Sequence, residues 1–393
     1  MNRVALALSS LLLIGLVISA CAPAPAPAPA PAATVAPAQP AQPTQPPAAA
    51  APTTAPAAAA PTATKAPAAA APAPASGARL ALVKSRGKLI CGVNDALPGF
   101  SFLDKTTGQF VGFDADYCRA IAAAVLGDPK AVEFRPLNTA QRGPALQTGE
   151  VDVLIRNTTW TVSRDVSWGL FAPTTFVDGQ GMMVKKSLNA KTLKDLKGAT
   201  VCVQTGTTTE LNLTDQMRAA GVDFKPVVFQ DIDPTYAAYE QGRCDAVTSD
   251  KSQLAGRRTA FKNPDDHVIM DNVTMSKEPL GPAVPLGDDQ WFNVVKWVVY
   301  NTFQAEESGI TSKNVDDMLK STDPVIKRLL GVEGDLAKGL GLNNDWVVKV
   351  LKAVGNYGEI YDRNLGPSTP LNIPRGPNRQ WTQGGLLYAP PYR

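Results

Sequence analysis

From residue 77 onward, apolar runs and amphipathic stretches alternate, and the alternation occurs twice. In the first block a short helix over Leu80 to Arg86 precedes a buried strand, Lys88 to Val93 (KLICGV), that ends in Asn94-Asp95. A loop through Pro98, Gly99 and Phe100 leads to Phe102, and the turn Asp104 to Gly108 reverses the chain into Phe110 to Phe113. Asp114 is the expected N-cap of a helix over Tyr117 to Leu126, whose apolar face includes Ile121, Ala124 and Val125. Strand Val132 to Phe134, helix Gln141 to Thr148 and strand Val151 to Ile155 follow. In the second block, after Gly179-Gln180-Gly181, come strand Met182 to Val184, a short helix over Leu193 to Gly198 and strand Thr200 to Val203. A helix through Leu211, Leu213 and Met217, strand Pro226 to Phe229, helix Pro234 to Gln241 and strand Ala246 to Thr248 complete it.

The Pro- and Gly-rich stretch Ser276 to Gly287 predicts a crossing back to the first block, followed by a helix over Asp289 to Phe303. Helices near Val315 to Leu319 and Asp345 to Val354 precede an irregular, Pro-rich tail, expected to wrap the first lobe. The pattern predicts an α/β fold of two lobes, each a mainly parallel sheet flanked by helices, joined by two crossings. Residues 77–180 and 276–393 would form lobe 1 and residues 181–275 lobe 2. Small ligands favour the cleft at the carboxyl ends of such strands.

The first 76 residues read differently. Met1 to Ala20 has one early cation, Arg3, then an apolar run ending Ile18-Ser19-Ala20-Cys21. Small residues just before a cysteine suggest a lipoprotein signal peptide, with Cys21 as the lipidated N-terminus. Ala22 to about Ser76 is nearly all Ala and Pro, a composition that yields an extended tether reaching roughly 150 Å at about 3 Å per residue. An extracytoplasmic, membrane-anchored protein is expected.

The formal net charge is only +3 and no dense basic run carries interleaved aromatics, which disfavours nucleic-acid binding. Beyond Cys21 there are four cysteines, Cys91, Cys118, Cys202 and Cys244, which allow three pairings. Cys91 with Cys118 and Cys202 with Cys244 are favoured, because each pair lies within one strand and helix unit. A zinc site lacks CxxC spacing and has a single histidine to draw on.

Candidate chemistry concentrates after the strand ending at Ile155. Arg156 to Arg164 (RNTTWTVSR) packs hydroxyls, an amide and a guanidinium into one turn, suited to holding a small carboxylate, with Arg164 as the anchor. A polar surface loop with Arg164 in a salt bridge is the plainer reading. Gln204 to Glu210 (QTGTTTE) opens a helix with backbone N–H groups and hydroxyls that an anion could use, or serves as a routine Thr cap.

With QTGTTTE, GRCDA, NPDDHVI, KEPLGPAV, GDDQW, GNYGEIYDRNLG and GGLLYAPP in order, the chain resembles the polar or general L-amino-acid-binding proteins of ABC uptake systems from about residue 79 to its end. The resemblance implies a monomeric, two-lobed class II periplasmic-binding-protein fold that closes on one amino acid and presents it to membrane permease subunits, with no cofactor or metal. It also implies roles. Arg164 and Thr159 would hold the α-carboxylate, with Asn157 contacting the ligand, and Thr208, beside Thr207, would complete the cage. Asp250 would accept the α-ammonium. Asn94 stands where binders of cationic amino acids carry an acid, and Leu97 where they often carry an aromatic ring, which argues against a dedicated Lys/Arg binder. Phe100, Phe102 and Trp160 are candidates for the pocket wall, or ordinary core residues. Two other readings remain, a ligand-binding sensor or chemotaxis partner, and an enzyme on the same scaffold such as a dehydratase or peptidoglycan lyase. His267, the one histidine, is expected on the surface of the far lobe.

Overall fold

The computed structural model describes residues 77–393, so the expected signal peptide, Cys21 and the tether lie outside the described residues. Lobe 1 starts with β1 (Leu89–Val93), which pairs in parallel with β5 (Val132–Pro136) and β6 (Val153–Leu154). Parallel neighbours need crossovers, and helices Phe113–Leu126 and Arg142–Gln147 supply them. Between β1 and the first crossover lies a small antiparallel sheet of β2 (Ala96–Leu97), β3 (Ser101–Asp104) and β4 (Gln109–Val111). β7 (Leu170–Phe171) closes the edge of the main sheet.

Helix Phe113–Leu126 begins earlier than the sequence pattern suggests, and its N-cap is Gly112, not Asp114. At φ 126° Gly112 brings the chain so close that a Cβ would lie 2.3 Å from the Phe100 carbonyl oxygen, which only glycine tolerates. Nearly every position of this helix is buried, and Ala120, Ala122, Ala123 and Ala124 keep it slim enough to pack between the sheet and helix Trp346–Val354. The bridge Cys91–Cys118 fastens it to β1.

Lobe 2 is entered by β8 (Phe176–Lys185), ten residues long. Its sheet continues through β9 (Thr200–Gln204), β10 (Lys225–Phe229), β11 (Ala246–Asp250) and β12 (His267–Ile269), in the order β10-β9-β11-β8-β12. Alternate side chains face opposite layers, with Val201 and Val203 in one apolar cluster and Cys202 in another. Cys202–Cys244 forms the second expected bridge. His267 departs from expectation: it faces inward from β12, is buried, and places Nδ1 2.9 Å from the Tyr239 hydroxyl.

The hinge is a two-stranded ribbon. β13 (Lys277–Leu280) runs antiparallel to the first half of β8, with Glu278 opposite Asp178, and β14 (Ala283–Val284) then joins β6 and β7 in lobe 1. Helices Asp289–Glu307 and Trp346–Val354 pack on lobe 1. The tail is less irregular than its prolines suggest, since Asn356 and Glu359 form a capping box that starts helix Tyr357–Asn364. Beyond it the Asn378 side chain bonds Val177 N at 2.7 Å and Val177 O at 3.1 Å, and Tyr392 bonds Trp297 O. The tail thus reaches from lobe 1 to the lobe-1 end of β8.

Candidate functional site

The turn after β6 reaches into the cleft because Asn157 adopts φ 33°, a left-handed conformation that asparagine tolerates. Its N–H donates to Asp114 Oδ2 at 2.8 Å, and its side-chain amide donates to Gln253 Oε1 of lobe 2 at 2.9 Å. Asn94 donates to Asn157 Oδ1 at 3.4 Å. Thr159 Oγ1 stands 3.3 Å from Thr208 Oγ1 across the cleft. Both hydroxyls donate to Glu278 Oε2, at 2.5 and 3.0 Å, while Asn212 donates to Oε1 at 3.1 Å.

Arg164 sits in the short helix Val162–Ser167, capped by Thr161, and is 7% exposed. Its Nη1 donates to Thr159 O at 3.0 Å and its guanidinium lies 4.9 Å from the centre of the Trp168 ring. Thr207 is the N-cap of helix Thr208–Ala219: its hydroxyl accepts from Glu210 N at 3.0 Å and donates to Gln204 O at 2.7 Å.

A cavity of about 20 Å³ lies between the lobes. Lobe 1 contributes Thr139, Arg142, Arg156, Asn157 and Thr159, and lobe 2 contributes Gln204, Thr207, Thr208, Ser249, Asp250 and Gln253 among others. An adjoining cavity of about 750 Å³ shares Arg156 and Gln204 with it, and its wall includes Asn94 and Phe102. Arg164 does not line either cavity in this closed arrangement. Phe100 is a core residue, not a wall: it is fully buried with its ring against Phe113 and Phe176. Trp160 also stays outside both cavities, stacked on Phe171 and 42% exposed, because its backbone N–H bonds Pro279 O and turns the side chain outward.

Arg142, Arg156, Gln253 and Glu278 were not expected here. Arg156 lies two residues past the end of strand β6, at the carboxyl end where ligands gather, and Glu278 lies within KEPLGPAV, so both had a signal in the sequence. Arg142 and Gln253 lie in helices whose facing depends on how the lobes pack.

The electrostatics follow from burial. Asp250 is pushed well above the ordinary carboxylate range, first by burial and then by the charges of Asp178 and Glu278. Burial also raises Asp114 and Asp178, each to about 6. It lowers Arg156 to about 10, lowers Arg164 too, and pushes Arg142 down with help from Arg164 and Arg156. The cavity therefore holds guanidinia on its lobe-1 side and, on its lobe-2 side, the carboxylate of Asp250, which makes no hydrogen bond among the described residues.

Comparison with known proteins adds the family. The model of the bacterial extracellular solute-binding proteins, family 3, matches residues 89–366. The general L-amino acid-binding periplasmic protein AapJ of Rhizobium johnstonii is 52% identical over 322 residues, 81% of this chain and 94% of that protein. The glutamate/glutamine/aspartate/asparagine-binding protein BztA of Rhodobacter capsulatus is 49% identical over 321 residues, again 81% and 94%. A solved periplasmic binding protein of an ABC transporter from Brucella ovis, with glutathione bound, is 53% identical with a TM-score of 0.78, covering 80% of this chain and 99% of that one. With its two lobes, its paired hinge strands and a polar cavity between them, the chain belongs to family 3 of the bacterial extracellular solute-binding proteins.

Proposed function

We propose that the protein captures L-amino acids of broad or polar range outside the cytoplasm and delivers them to the permease of an ABC importer, acting as a binder and not as an enzyme. The observation that carries this is the inter-lobe cavity with guanidinium and hydroxyl donors on one side and the Asp250 carboxylate on the other. Every amino acid presents the same zwitterion, and such a pair of partners reads that invariant part. In this reading Arg164, Thr159 and Thr208 hold the α-carboxylate, with Asn157 and Thr207 shaping the cage and Asp250 taking the ammonium. The relatives named for amino-acid binding support it. In the closed arrangement the cavity is far smaller than an amino acid, so entry requires the lobes to part and reclose. The closed form is what a permease would recognise.

Cys21 is the proposed lipid anchor and residues 22–76 the tether. Replacing Cys21 by Ser should release the protein from the membrane fraction. The binder reading is supported by the family and by relatives named for binding solutes.

One observation favours a longer ligand as well. The larger cavity opens beside Arg156 and Gln204, and the Brucella ovis relative holds glutathione. The test is calorimetric titration of the protein lacking residues 1–76, stripped of ligand by partial unfolding, against the twenty L-amino acids and glutathione, beside Arg164→Ala. Saturable binding that the substitution weakens by about 3 to 5 kcal/mol is expected. No heat from a folded, ligand-free sample with any amino acid rejects the proposal.

A further inference from the structure

Two guanidinia, Arg142 and Arg156, line one small cavity and a third, Arg164, is buried against Thr159 of its wall, so their number exceeds what a simple amino acid can satisfy. Arg142, Arg156 and Arg164 are each more than nine-tenths buried, yet none forms a salt bridge among the described residues. Asp250 is the one carboxylate in the cavity wall. Glu278 stands behind Thr159 and Thr208, already accepting from both hydroxyls and from Asn212. Asp114 accepts the Asn157 N–H, and although Asp95 and Asp114 lie near enough to favour the charge on Arg156, neither is its salt-bridge partner. A bound zwitterion supplies one carboxylate for one arginine and one ammonium for Asp250. The other guanidinia then stay desolvated without an anion, a costly state.

Arg156 is placed to resolve this. Its Nε donates to Leu137 O at 2.6 Å, which fixes the plane of the guanidinium, and its two terminal nitrogens have no hydrogen-bond partner among the described residues. It lines both the small cavity and the larger one, at the step where a ligand's side chain would leave the backbone pocket. Arg142 stands in the same wall with a buried Nε that has no partner. A planar fork with open donors matches a carboxylate in both geometry and charge.

We propose that Arg156, backed by Arg142, reads a second carboxyl group on the ligand, so that the site selects amino acids with acidic side chains over neutral ones and rejects cationic ones. This rests on the amino-acid reading of the same cavity and adds a specificity to it.

The test titrates ligand-free protein with glutamate, aspartate, glutamine, alanine, lysine and arginine, using wild type, Arg156→Lys and Arg156→Gln. In wild type, glutamate or aspartate is expected to bind at least about ten-fold tighter than alanine and lysine. Arg156→Gln should reduce the acid-over-alanine ratio by about ten- to a hundred-fold, and Arg156→Lys, which keeps the charge but loses the fork, by less. A wild type that binds lysine or alanine as tightly as glutamate overturns the proposal, and that arm does not depend on a variant folding. A variant that weakens all ligands in equal proportion overturns it too, by showing a structural role alone. If no amino acid binds, the amino-acid reading falls and this inference with it; if amino acids bind without preference for acids, only the inference falls.

Discussion

At the scale of single groups, the proposed ammonium-binding role of Asp250 has a consequence for protons. Burial among Asp178 and Glu278 favours its neutral form in the empty cleft, whereas an ammonium partner requires the anion. Binding at mildly acidic pH should therefore release a proton, measurable by titration calorimetry in buffers of different ionisation heat. In Asp250→Asn the release should vanish and affinity should fall by about 3 to 5 kcal/mol. Asp114 offers a cleaner linkage. Its folded value of about 6 lies above its ordinary 3.8, so the stability it contributes is full below about pH 4 and is lost as pH rises through about 6. Asp114→Asn keeps an acceptor for the Asn157 N–H but carries no charge. Relative to wild type, the variant should gain roughly 3 kcal/mol between pH 4 and pH 7, read from denaturant melts of the ligand-free protein. An unchanged difference across that range would contradict the burial argument.

At the scale of elements, the sequence was most legible where period and punctuation agree. KLICGV predicted β1, and the Thr-rich turn predicted the start of helix Thr208–Ala219, with Thr207 serving as its cap. Both disulfide pairings followed from strand and helix units. Legibility failed where packing decides. Nothing local says that Gly112, not Asp114, starts its helix, because the reason is the Phe100 carbonyl pressed against it. Phe100 and Trp160 share the aromatic character of a pocket wall, yet one fills the lobe-1 core and the other turns outward beside β13. Glu278 meets Thr159 across 119 residues of chain, a proximity that only the hinge topology creates.

Helix Lys251–Arg258 of lobe 2 carries a further test at this scale. A Cβ on Gly256 would sit 2.6 Å from the Pro98 carbonyl oxygen of lobe 1. Gly256→Val should thus oppose closure and weaken ligand binding by about 1 to 3 kcal/mol. The added methyls meet the Pro98 carbonyl and the Leu97 side chain across the cleft, contacts that the opened ligand-free protein escapes, so its melting temperature should hold. A variant that melts early but binds as tightly as wild type once folded would refute the closure argument.

For the whole molecule, each lobe has its own staple and the chain crosses between them at the ribbon of β8 and β13. Cys91–Cys118 closes 27 residues of lobe 1 and Cys202–Cys244 closes 42 of lobe 2, worth about 3.5 and 4 kcal/mol by chain entropy. Replacing Cys202 and Cys244 together by Ala should speed hydrogen exchange in β9 and helix Ile232–Glu240 while β1 and β5 keep their protection. Equal loss in both lobes would mean that they unfold as one unit.

The ribbon also makes the protein a mechanical converter. Two hydrogen-bonded strands bend far more readily than they stretch, so a chemical event in the cleft has one main outlet, a change in the distance between the lobe faces. Val162, 82% exposed, and Leu211, 69% exposed, stand on the two helices whose starts meet at Thr159 and Thr208. A donor dye on one and an acceptor on the other would turn occupancy into colour, so the same hinge that hands over a solute could serve as the moving part of an optical gauge for it.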